Sequence, residues 1–400
     1  MRPGAAVELG QVLRDGGTRN PDGDKAGSMG SLDLVLGWRD IGFAATIGLA
    51  ACLTLCVTVV LTQAWHGRFT HDGLVGVQKF HQVPTPRIGG LAVAIAYAAI
   101  WPMLPEGLRP TWLLIGLAGL PALVAGLAED VTRRVGVRNR LLATMAAGAV
   151  FAVATGYTMH EVDLPGVDWL LSFYLCALVF TAFSMGGVAN AINIIDGFNG
   201  LAAGSLIIMF GAFAYVAHRL DDDLVFSLAM LYAALVLGFF FVNFPHGKIF
   251  LGDGGAYFAG FLLASLGVLL PMRNPETSAW TAILICAYPV IETVASMWRK
   301  SRRAGHSAGQ PDRVHFHMLA HRRYARRLVK RQTARHLRNP ATSLVTWLLP
   351  LLTAGFAALA YDTAAGSAFL FFVTAVLYGF LYRLMSLNGP RLPAAITRLL

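Results

Sequence analysis

Residues 42–63 read GFAATIGLAACLTLCVTVVLTQ, a run without a single charged side chain. About 20 consecutive apolar residues are enough for an α-helix to cross the hydrocarbon core of a bilayer. The run therefore predicts a transmembrane helix, and much of the chain repeats its character. Of 400 residues, 56% are hydrophobic and only 14% are charged, whereas a soluble domain carries about 25% charged residues. This composition excludes a soluble fold.

Ten further apolar stretches follow, several of them with Gly or Pro, which membrane helices tolerate. The sequence predicts an all-α polytopic membrane protein with about eleven transmembrane helices. We expect residues 1–41 to form a disordered or external tail, 42–384 the membrane domain and 385–400 a cytoplasmic tail. The predicted spans are 42–63, 88–104, 111–128, 141–159, 167–188, 201–218, 224–243, 255–271, 279–297, 341–360 and 366–384.

The basic residues predict the orientation of these spans. With the N-terminus of the first span outside, about three quarters of the 32 lysine and arginine residues fall on the cytoplasmic side, as the positive-inside rule requires. The basic block 299–338 follows the ninth predicted span and precedes the tenth, which favours attraction to anionic lipid headgroups over nucleic acid. We therefore expect no nucleic-acid partner.

The most distinctive polar residues all fall on this predicted cytoplasmic side, at span ends or in the loops between spans. Since the charge count used none of the acids, amides or aromatic residues, the agreement predicts an active site on the cytoplasmic face. The candidate residues are Lys79, Arg87, Glu129, Asp130, Asn190, Asn193, Asp196, Asn199, Asn243, Phe250, Asp253, His315 and His317.

The chemistry of these side chains suits an anionic substrate and a hard cation. An acid at a helix end avoids most of the cost of insertion at mid-bilayer, so Glu129, Asp130, Asp196 and Asp253 can stay ionised. Mg²⁺ prefers one or two carboxylates completed by phosphate oxygens, and Arg87 can pair with phosphate charge. The chain contains neither a GxGxxG fingerprint nor a Walker lysine loop.

Several of these signals have simpler alternatives when each is taken alone. An Asp-Gly pair is usually a turn, a Glu-Asp pair at a helix end is usually solvated, and His315 and His317 could be surface residues. Glu292 lies inside the ninth predicted span, and an acid within a membrane segment is a functional hypothesis by default. It lies seven residues before Arg299, about 10 Å along a helix. The alternative is that its side chain reaches the interface without a functional role.

Three motifs carry a family resemblance: PTPRIGG at 84–90, NAINIIDGFNGLA at 190–202 and IFLGDGG at 249–255. With them, the chain resembles the polyprenyl-phosphate N-acetylhexosamine-1-phosphate transferases of glycosyltransferase family 4 from about residue 79 to 320. PTPRIGG and the absence of a triple histidine are similar to the bacterial branch that initiates O-antigen and related polysaccharides on undecaprenyl phosphate.

The resemblance implies roles around a metal ion and phosphate groups. Asp253 matches the principal Mg²⁺ ligand, with Asp196 as a second acid, and Mn²⁺ is an alternative ion. Lys79 matches a lysine near the phosphates, and Glu129 with Asp130 matches a pair of acids that orients the carrier phosphate.

The resemblance also implies a uridine side. Phe250 matches an aromatic that stacks on uracil, and Asn193 and Asn243 match polar residues around the nucleotide. His315 and His317 match parts of a histidine loop that closes over the uridine, while Asn190 and Asn199 lie in the central motif as further substrate contacts.

The implied reaction transfers N-acetylhexosamine-1-phosphate, GlcNAc by default, from a UDP-sugar to undecaprenyl phosphate with release of UMP. It would take place at the bacterial inner membrane as the first membrane step of cell-surface polysaccharide synthesis, and a homodimer is compatible with it. The alternatives are a phospho-MurNAc-pentapeptide transferase of peptidoglycan synthesis, a secondary transporter and a non-catalytic binding protein for lipid-linked sugars.

Three residues depart from the family pattern. Glu129 replaces the first Asp of an Asp-Asp pair, Asn199 replaces the second acid of the central motif, and Met318 stands where a further histidine is common. These departures bear on the sugar and the pH dependence more than on the type of reaction.

Overall fold

The computed structural model describes residues 29–72, 84–302, 314–329 and 336–387, which are almost entirely helical. The N-terminal tail up to residue 28 and the segment from residue 388 onward lie outside the described residues. The described part contains one short antiparallel strand pair, in which β1 (His71–Asp72) pairs with β2 (Thr85–Pro86).

Most of the helices follow one another across short loops. Their bounds are α1 Met29–Leu61, α2 Gln63–Thr70, α3 Gly89–Ala99, α4 Arg109–Ala118, α5 Leu120–Thr132, α6 Val137–Thr155, α7 Pro165–Leu171, α8 Tyr174–Ile195, α9 Leu201–Arg219, α10 Asp223–Asn243, α11 Gly252–Arg273, α12 Ala279–Ile285, α13 Ala287–Ser301, α14 Phe316–Ala320, α15 Arg338–Thr346, α16 Leu348–Ala360 and α17 Ala364–Ser386. A π-helical turn His321–Ala325 follows α14.

The prediction of an all-α polytopic membrane protein is confirmed. Within the described residues, eight helical segments are long and apolar enough to cross a membrane, and two bent helix pairs raise the number to ten. The pair α4–α5 bends by 44° and the pair α12–α13 by 81°. Pro289 accounts for part of the second bend, because it has no N–H to donate to the carbonyl four residues earlier. The outer faces carry exposed apolar side chains such as Val376 and Phe369, as lipid contact requires.

Two predicted spans differ from the structure. The stretch 88–104 forms only α3 and a 3₁₀ turn, Trp101–Met103, which is too short for a span. The stretch 167–188 is divided into α7 and α8, so that the spanning helix starts seven residues later than predicted. The apolar composition runs through the break at 172–173, and hydropathy alone therefore could not locate it.

Helix α11 forms the centre of the bundle, and close packing of glycines fixes its first turn. Gly255 lies so close to Gly90 of α3 that a Cβ on Gly90 would approach its Cα to 2.1 Å. Gly254 meets Gly126 of α5 in the same way, at 2.4 Å. Small residues allow membrane helices to approach at backbone distance. The beginning of α11 is thereby held against α3 and α5.

The other end of α11 is closed by a polar clasp. Arg273 Nε donates to Asp222 Oδ2 over 2.9 Å, and Asn274 Nδ2 donates to the same oxygen over 2.9 Å. The Asp222 carboxylate also caps α10 through the N–H of Val225, and Arg273 Nη1 donates to the Tyr157 hydroxyl. With 22 residues in α11 and a rise of 1.5 Å per residue, this clasp lies about 30 Å from Asp253.

Candidate active site

Asp253 lies in the first turn of α11, and a buried carboxylate from α5 holds that turn. Asp130 accepts the backbone N–H of Asp253 and that of Gly254, each over 2.9 Å. The first N–H groups of a helix have no partner within it, and their dipole favours a negative charge. Only 1% of Asp130 is exposed. Asp130 therefore fixes both the start of α11 and the position of Asp253.

Gly252 allows the chain to enter this helix. Its φ of +74° lies in the left-handed region, and a Cβ there would come within 2.0 Å of the Arg87 carbonyl oxygen. The segment on either side of Arg87 is bound to the same loop, because Phe250 N–H donates to Pro86 O and Gly89 N–H donates to Phe250 O. The motifs PTPRIGG and IFLGDGG, more than 150 residues apart in sequence, are thus neighbours in the fold.

Two arginines and an amide surround the Asp253 carboxylate. Arg87 Nη2 lies 3.4 Å from Asp253 Oδ1, and Asn193 Nδ2 donates to the same oxygen over 3.1 Å. Arg140 Nη1 donates to the other oxygen. Arg87 also lies 3.0 Å from Asp130 Oδ1. Since only 14% of the Asp253 side chain is exposed, these contacts form a compact polar cluster at one end of the bundle.

Asp196 adds a third acid to this cluster. It follows directly after α8, three residues beyond Asn193. Burial, together with the charges of Asp253 and Asp130, raises the pKa of the Asp196 carboxyl to about 7. Burial is the larger cause, so the Asp196 carboxyl is about half ionised near neutral pH. A cation bound beside it would favour the ionised form.

The histidine segment closes one side of the cluster. Both histidines are buried, with 5% of His315 and 1% of His317 exposed, so the alternative that they are surface residues is wrong. The two rings stack with centroids 5.3 Å apart, and His317 meets Phe198 edge-on at 5.7 Å. A Cβ on Gly197 would lie 3.0 Å from His317 Nε2. The segment thus packs against the residues that follow Asp196.

Comparison with known proteins identifies the family of this chain. The sequence profile of glycosyl transferase family 4 matches residues 112–270. The chain is 31% identical over 243 residues to a phospho-N-acetylmuramoyl-pentapeptide-transferase of Geobacillus kaustophilus, an alignment that covers 56% of this chain and 74% of that protein. This chain belongs to glycosyl transferase family 4.

Two other relatives of this family 4 protein carry a different name. The chain is 30% identical over 245 residues to a probable undecaprenyl-phosphate N-acetylglucosaminyl 1-phosphate transferase of Bacillus subtilis, covering 60% of this chain and 66% of that protein. It is 25% identical over 307 residues to a decaprenyl-phosphate N-acetylglucosaminephosphotransferase of Mycobacterium leprae, covering 68% and 75%.

Four predicted site residues of the family 4 chain form hydrogen bonds to its own backbone or between its helices. Asn243 accepts from Gly200 N–H and donates to Ile249 O, which ties two loops together. Asn199 is buried and donates to Pro245 O. Asn190 Nδ2 donates to Thr144 Oγ1 and links α8 to α6. Glu129 Oε2 accepts the N–H of Val135 in the loop that follows α5. Direct contacts of these four side chains with substrate stay predictions.

The remaining predicted residues have different outcomes. Phe250 is half-buried beside Asp253, and its stacking on uracil stays a prediction. Lys79 lies outside the described residues, between β1 and β2. Arg140 was not among the sequence candidates. Basic residues at the start of a span are common, so no sequence signal set it apart from Arg138 two residues earlier.

The carboxylates of the family 4 site suit a divalent cation whose remaining coordination positions are filled by substrate oxygens. Among the described residues, no group of three or more His, Cys, Asp or Glu side chains is arranged to hold a metal ion alone. Mg²⁺ commonly takes one or two carboxylates and fills its remaining positions with phosphate oxygens and water. Asp253 and Asp196 supply that number of carboxylates, and they are close enough for their charges to interact.

Proposed function

We propose that this protein transfers N-acetylhexosamine-1-phosphate, by default GlcNAc-1-phosphate, from a UDP-sugar to undecaprenyl phosphate and releases UMP. The names of the Bacillus subtilis and Mycobacterium leprae relatives support the reaction. The single observation that carries it is the polar cluster, in which Asp253 and Asp130 from α11 and α5 meet Arg87 and Arg140. The proposed location is the cytoplasmic face of a bacterial inner membrane, on the predicted side of the basic loops.

Asp253 and Asp196 are the proposed ligands of Mg²⁺, for which Mn²⁺ is a substitute. A bound Mg²⁺ would neutralise part of the negative charge on the diphosphate of the UDP-sugar. Asp253 would have to exchange at least one of its arginine contacts for the cation. Arg87 and Arg140 would then be free to pair with phosphate oxygens, which the planar guanidinium group binds in bidentate fashion.

The described acids have different contacts, which suggests different roles at the carrier phosphate. Asp130 is buried, and its two oxygens are occupied by two backbone N–H groups and Arg87. We assign it the positioning of Asp253 rather than proton transfer. Glu129 is half-buried with one loop contact, which leaves it as the acid that orients the carrier phosphate. Lys79 would offset the negative charge on the phosphate group while it is transferred, which is a form of electrostatic catalysis.

The uridine side would be formed by Phe250 and the histidine segment. His317 reaches Gly197 and Phe198, next to Asp196, so a nucleotide with its diphosphate at the acids would extend along this wall. Asn193 donates to Asp253 and is therefore in direct contact with a proposed metal ligand. Positioning of both substrates lowers the entropic part of the barrier.

The second candidate is a phospho-N-acetylmuramoyl-pentapeptide transferase. The Geobacillus kaustophilus relative, at 31% identity, carries that name. The motif PTPRIGG and Met318 in place of a further histidine favour the polysaccharide branch. A secondary transporter is disfavoured, because transporter sites lie near the bilayer midplane and the acids here gather at one end of the bundle.

An assay of purified protein with undecaprenyl phosphate tests this proposal. The donors are UDP-GlcNAc, UDP-GalNAc and UDP-MurNAc-pentapeptide, each with Mg²⁺, with Mn²⁺ and with a chelator, and the lipid product is identified by its mass. We expect HexNAc-diphosphate-undecaprenol and stoichiometric UMP with a divalent cation only. A product from UDP-MurNAc-pentapeptide alone would establish the second candidate. Binding of donor without product or UMP exchange would establish a non-catalytic binding protein.

A further inference from the structure

Glu292 is a buried acid in α13 that receives four hydrogen-bond donors. Oε1 lies 2.8 Å from His315 Nδ1 and 3.3 Å from Arg299 Nη2. Oε2 accepts the Phe316 N–H over 2.9 Å and the Tyr378 hydroxyl over 2.7 Å. Glu292 is 0% exposed, so the alternative that it reaches the interface is wrong. An ionised carboxylate only accepts, so the proton of His315 lies on Nδ1.

These contacts join three separate elements at the histidine segment. Glu292 lies in α13, Tyr378 in α17, and His315 with Phe316 at the start of α14. Tyr382, one turn after Tyr378, donates to Val314 O over 3.0 Å. The entry into α14 is therefore attached through polar contacts to two long helices, and the Glu292 carboxylate is the common acceptor.

The segment held in this way reaches the candidate active site. The His315 ring stacks on His317, and His317 contacts Gly197 and Phe198. Asp196 directly precedes Gly197 in the chain. A displacement of His315 would thus be transmitted through one ring contact to the wall beside Asp196.

We propose that Glu292 is a positioning residue for the nucleotide side of the active site. It holds His315 and Phe316 so that His317 lies against Gly197, and it needs no contact with substrate itself. This inference rests on the proposed function, which places the uridine of the donor along that wall. A carboxylate is suited to the task because it binds a ring N–H, a backbone N–H and a hydroxyl at once.

The alternative is that Glu292 only stabilises the fold, and Asp222 provides the matched control. Asp222 is also buried, at 5% exposure, and also binds an arginine, but it lies at the other end of α11. A residue that only stabilises the fold lowers the amount of active protein and leaves KM unchanged. A positioning residue raises KM for the donor in protein that is folded.

The experiment uses Glu292→Gln, Glu292→Asp, Tyr378→Phe and Asp222→Asn in the full-length protein. Steady-state kinetics with the UDP-sugar that the wild type uses give KM and kcat. The amount of folded protein, to which kcat is referred, is measured by size-exclusion chromatography. Hydrogen–deuterium exchange reports on peptides within 314–329. Loss of a hydrogen bond to a charged group corresponds to about a tenfold change in binding, so we expect KM to rise about tenfold in Glu292→Gln.

In the other variants we expect graded effects. Tyr378→Phe removes one donor and should raise KM about threefold, and Glu292→Asp should recover part of the loss because it remains a four-donor acceptor. Exchange at 314–329 should be faster in Glu292→Gln and unchanged in Asp222→Asn, which should also keep the wild-type KM.

Two results separate the inference from the proposed function. Wild-type KM and unchanged exchange at 314–329 in Glu292→Gln would overturn the positioning role, whatever the reaction. If Glu292→Gln does not fold, the same result in Tyr378→Phe has that meaning. A wild-type protein that makes no lipid product from any UDP-sugar would overturn the proposed function, while faster exchange at 314–329 in Glu292→Gln would still support the anchoring of the segment.

Discussion

Helix α11 has an acid–arginine contact at each end, and the two contacts are built differently. At the far end, the single acid Asp222 is shared by Arg273, an asparagine and a helix N-terminus. At the near end, Asp253 is one of three acids, and Arg87 is shared by Asp253, Asp130 and Asp72. The far end is a closed clasp around one acid, whereas the near end gathers several acids around two arginines. The same residue types thus form a closed contact at one end and the proposed binding site at the other.

Asp253→Asn should have the largest effect on activity. The change removes the charge of the proposed metal ligand but keeps its size, so turnover should fall at least about a hundredfold with little change in thermal stability. Turnover and the midpoint of thermal unfolding in detergent are the measurements. Mg²⁺-dependent UMP release at the wild-type rate would remove Asp253 from the metal site.

Asp130→Ala should reduce both activity and stability. It leaves the N–H groups of Asp253 and Gly254 without their acceptor, and each buried group that loses its partner costs about 1–3 kcal/mol. We expect turnover to fall about tenfold or more as Asp253 becomes less ordered. Asp130→Asn, which keeps one acceptor oxygen, should be intermediate in both measurements. An alanine variant with normal stability would show that the start of α11 does not depend on this carboxylate.

Glu129→Ala should lose most of its activity, about tenfold, while Glu129→Asp stays active. The physical reason is that the proposed role needs a charge near the carrier phosphate and tolerates a shorter side chain. The effect of each substitution is measured as turnover at varied undecaprenyl phosphate concentration. Wild-type rates for the alanine variant would mean that Glu129 is only a loop residue that accepts the Val135 N–H.

Asp222→Ala should change stability without changing catalysis. Removing one partner of a buried ion pair costs about 3 kcal/mol, because Arg273 and Asn274 lose their acceptor. Turnover per folded molecule should stay within about twofold of wild type, since the site is about 30 Å away. A selective loss of turnover would contradict the separation of the two ends.

Acidification should have a smaller and local effect near the histidine segment. Burial and the charge of Arg326 lower the pKa of His321 from 6.5 to about 4. Between these values the unfolded chain binds a proton that the folded chain does not, so stability falls as the pH drops through this window. Hydrogen exchange at 314–329, corrected for intrinsic rates, should accelerate from pH 7 to pH 5. His321→Asn should lack this pH dependence.

The grouping of the motifs could be predicted from the sequence, but their contacts could not. Hydropathy and the positive-inside rule predict that 84–90, 190–202 and 249–255 lie on the same side of the membrane, and the structure brings them together. Arg140 and the roles of Asp130 and Asn243 were missed, because a sequence motif does not distinguish a side chain that binds backbone from one that faces substrate.

Glu292 illustrates the same limit from the other direction. An acid within a predicted span is conspicuous in sequence, but its four donors come from α13, α14 and α17. Tyr378 is 86 residues away and carries no signal of its own. The choice between a functional role and a reach to the interface depended on which helices pack together.

The sequence by itself determined that this chain is a helical membrane protein and which residues have the chemistry of phosphate and cation binding. It could do so because hydropathy, charge asymmetry and residue type are properties of local stretches. Only the tertiary structure decided which acid is saturated, as Asp222 is, and which remains in a crowded cluster, as Asp196 does. That distinction depends on the number of donors within hydrogen-bond distance, and those donors come from helices far apart in sequence.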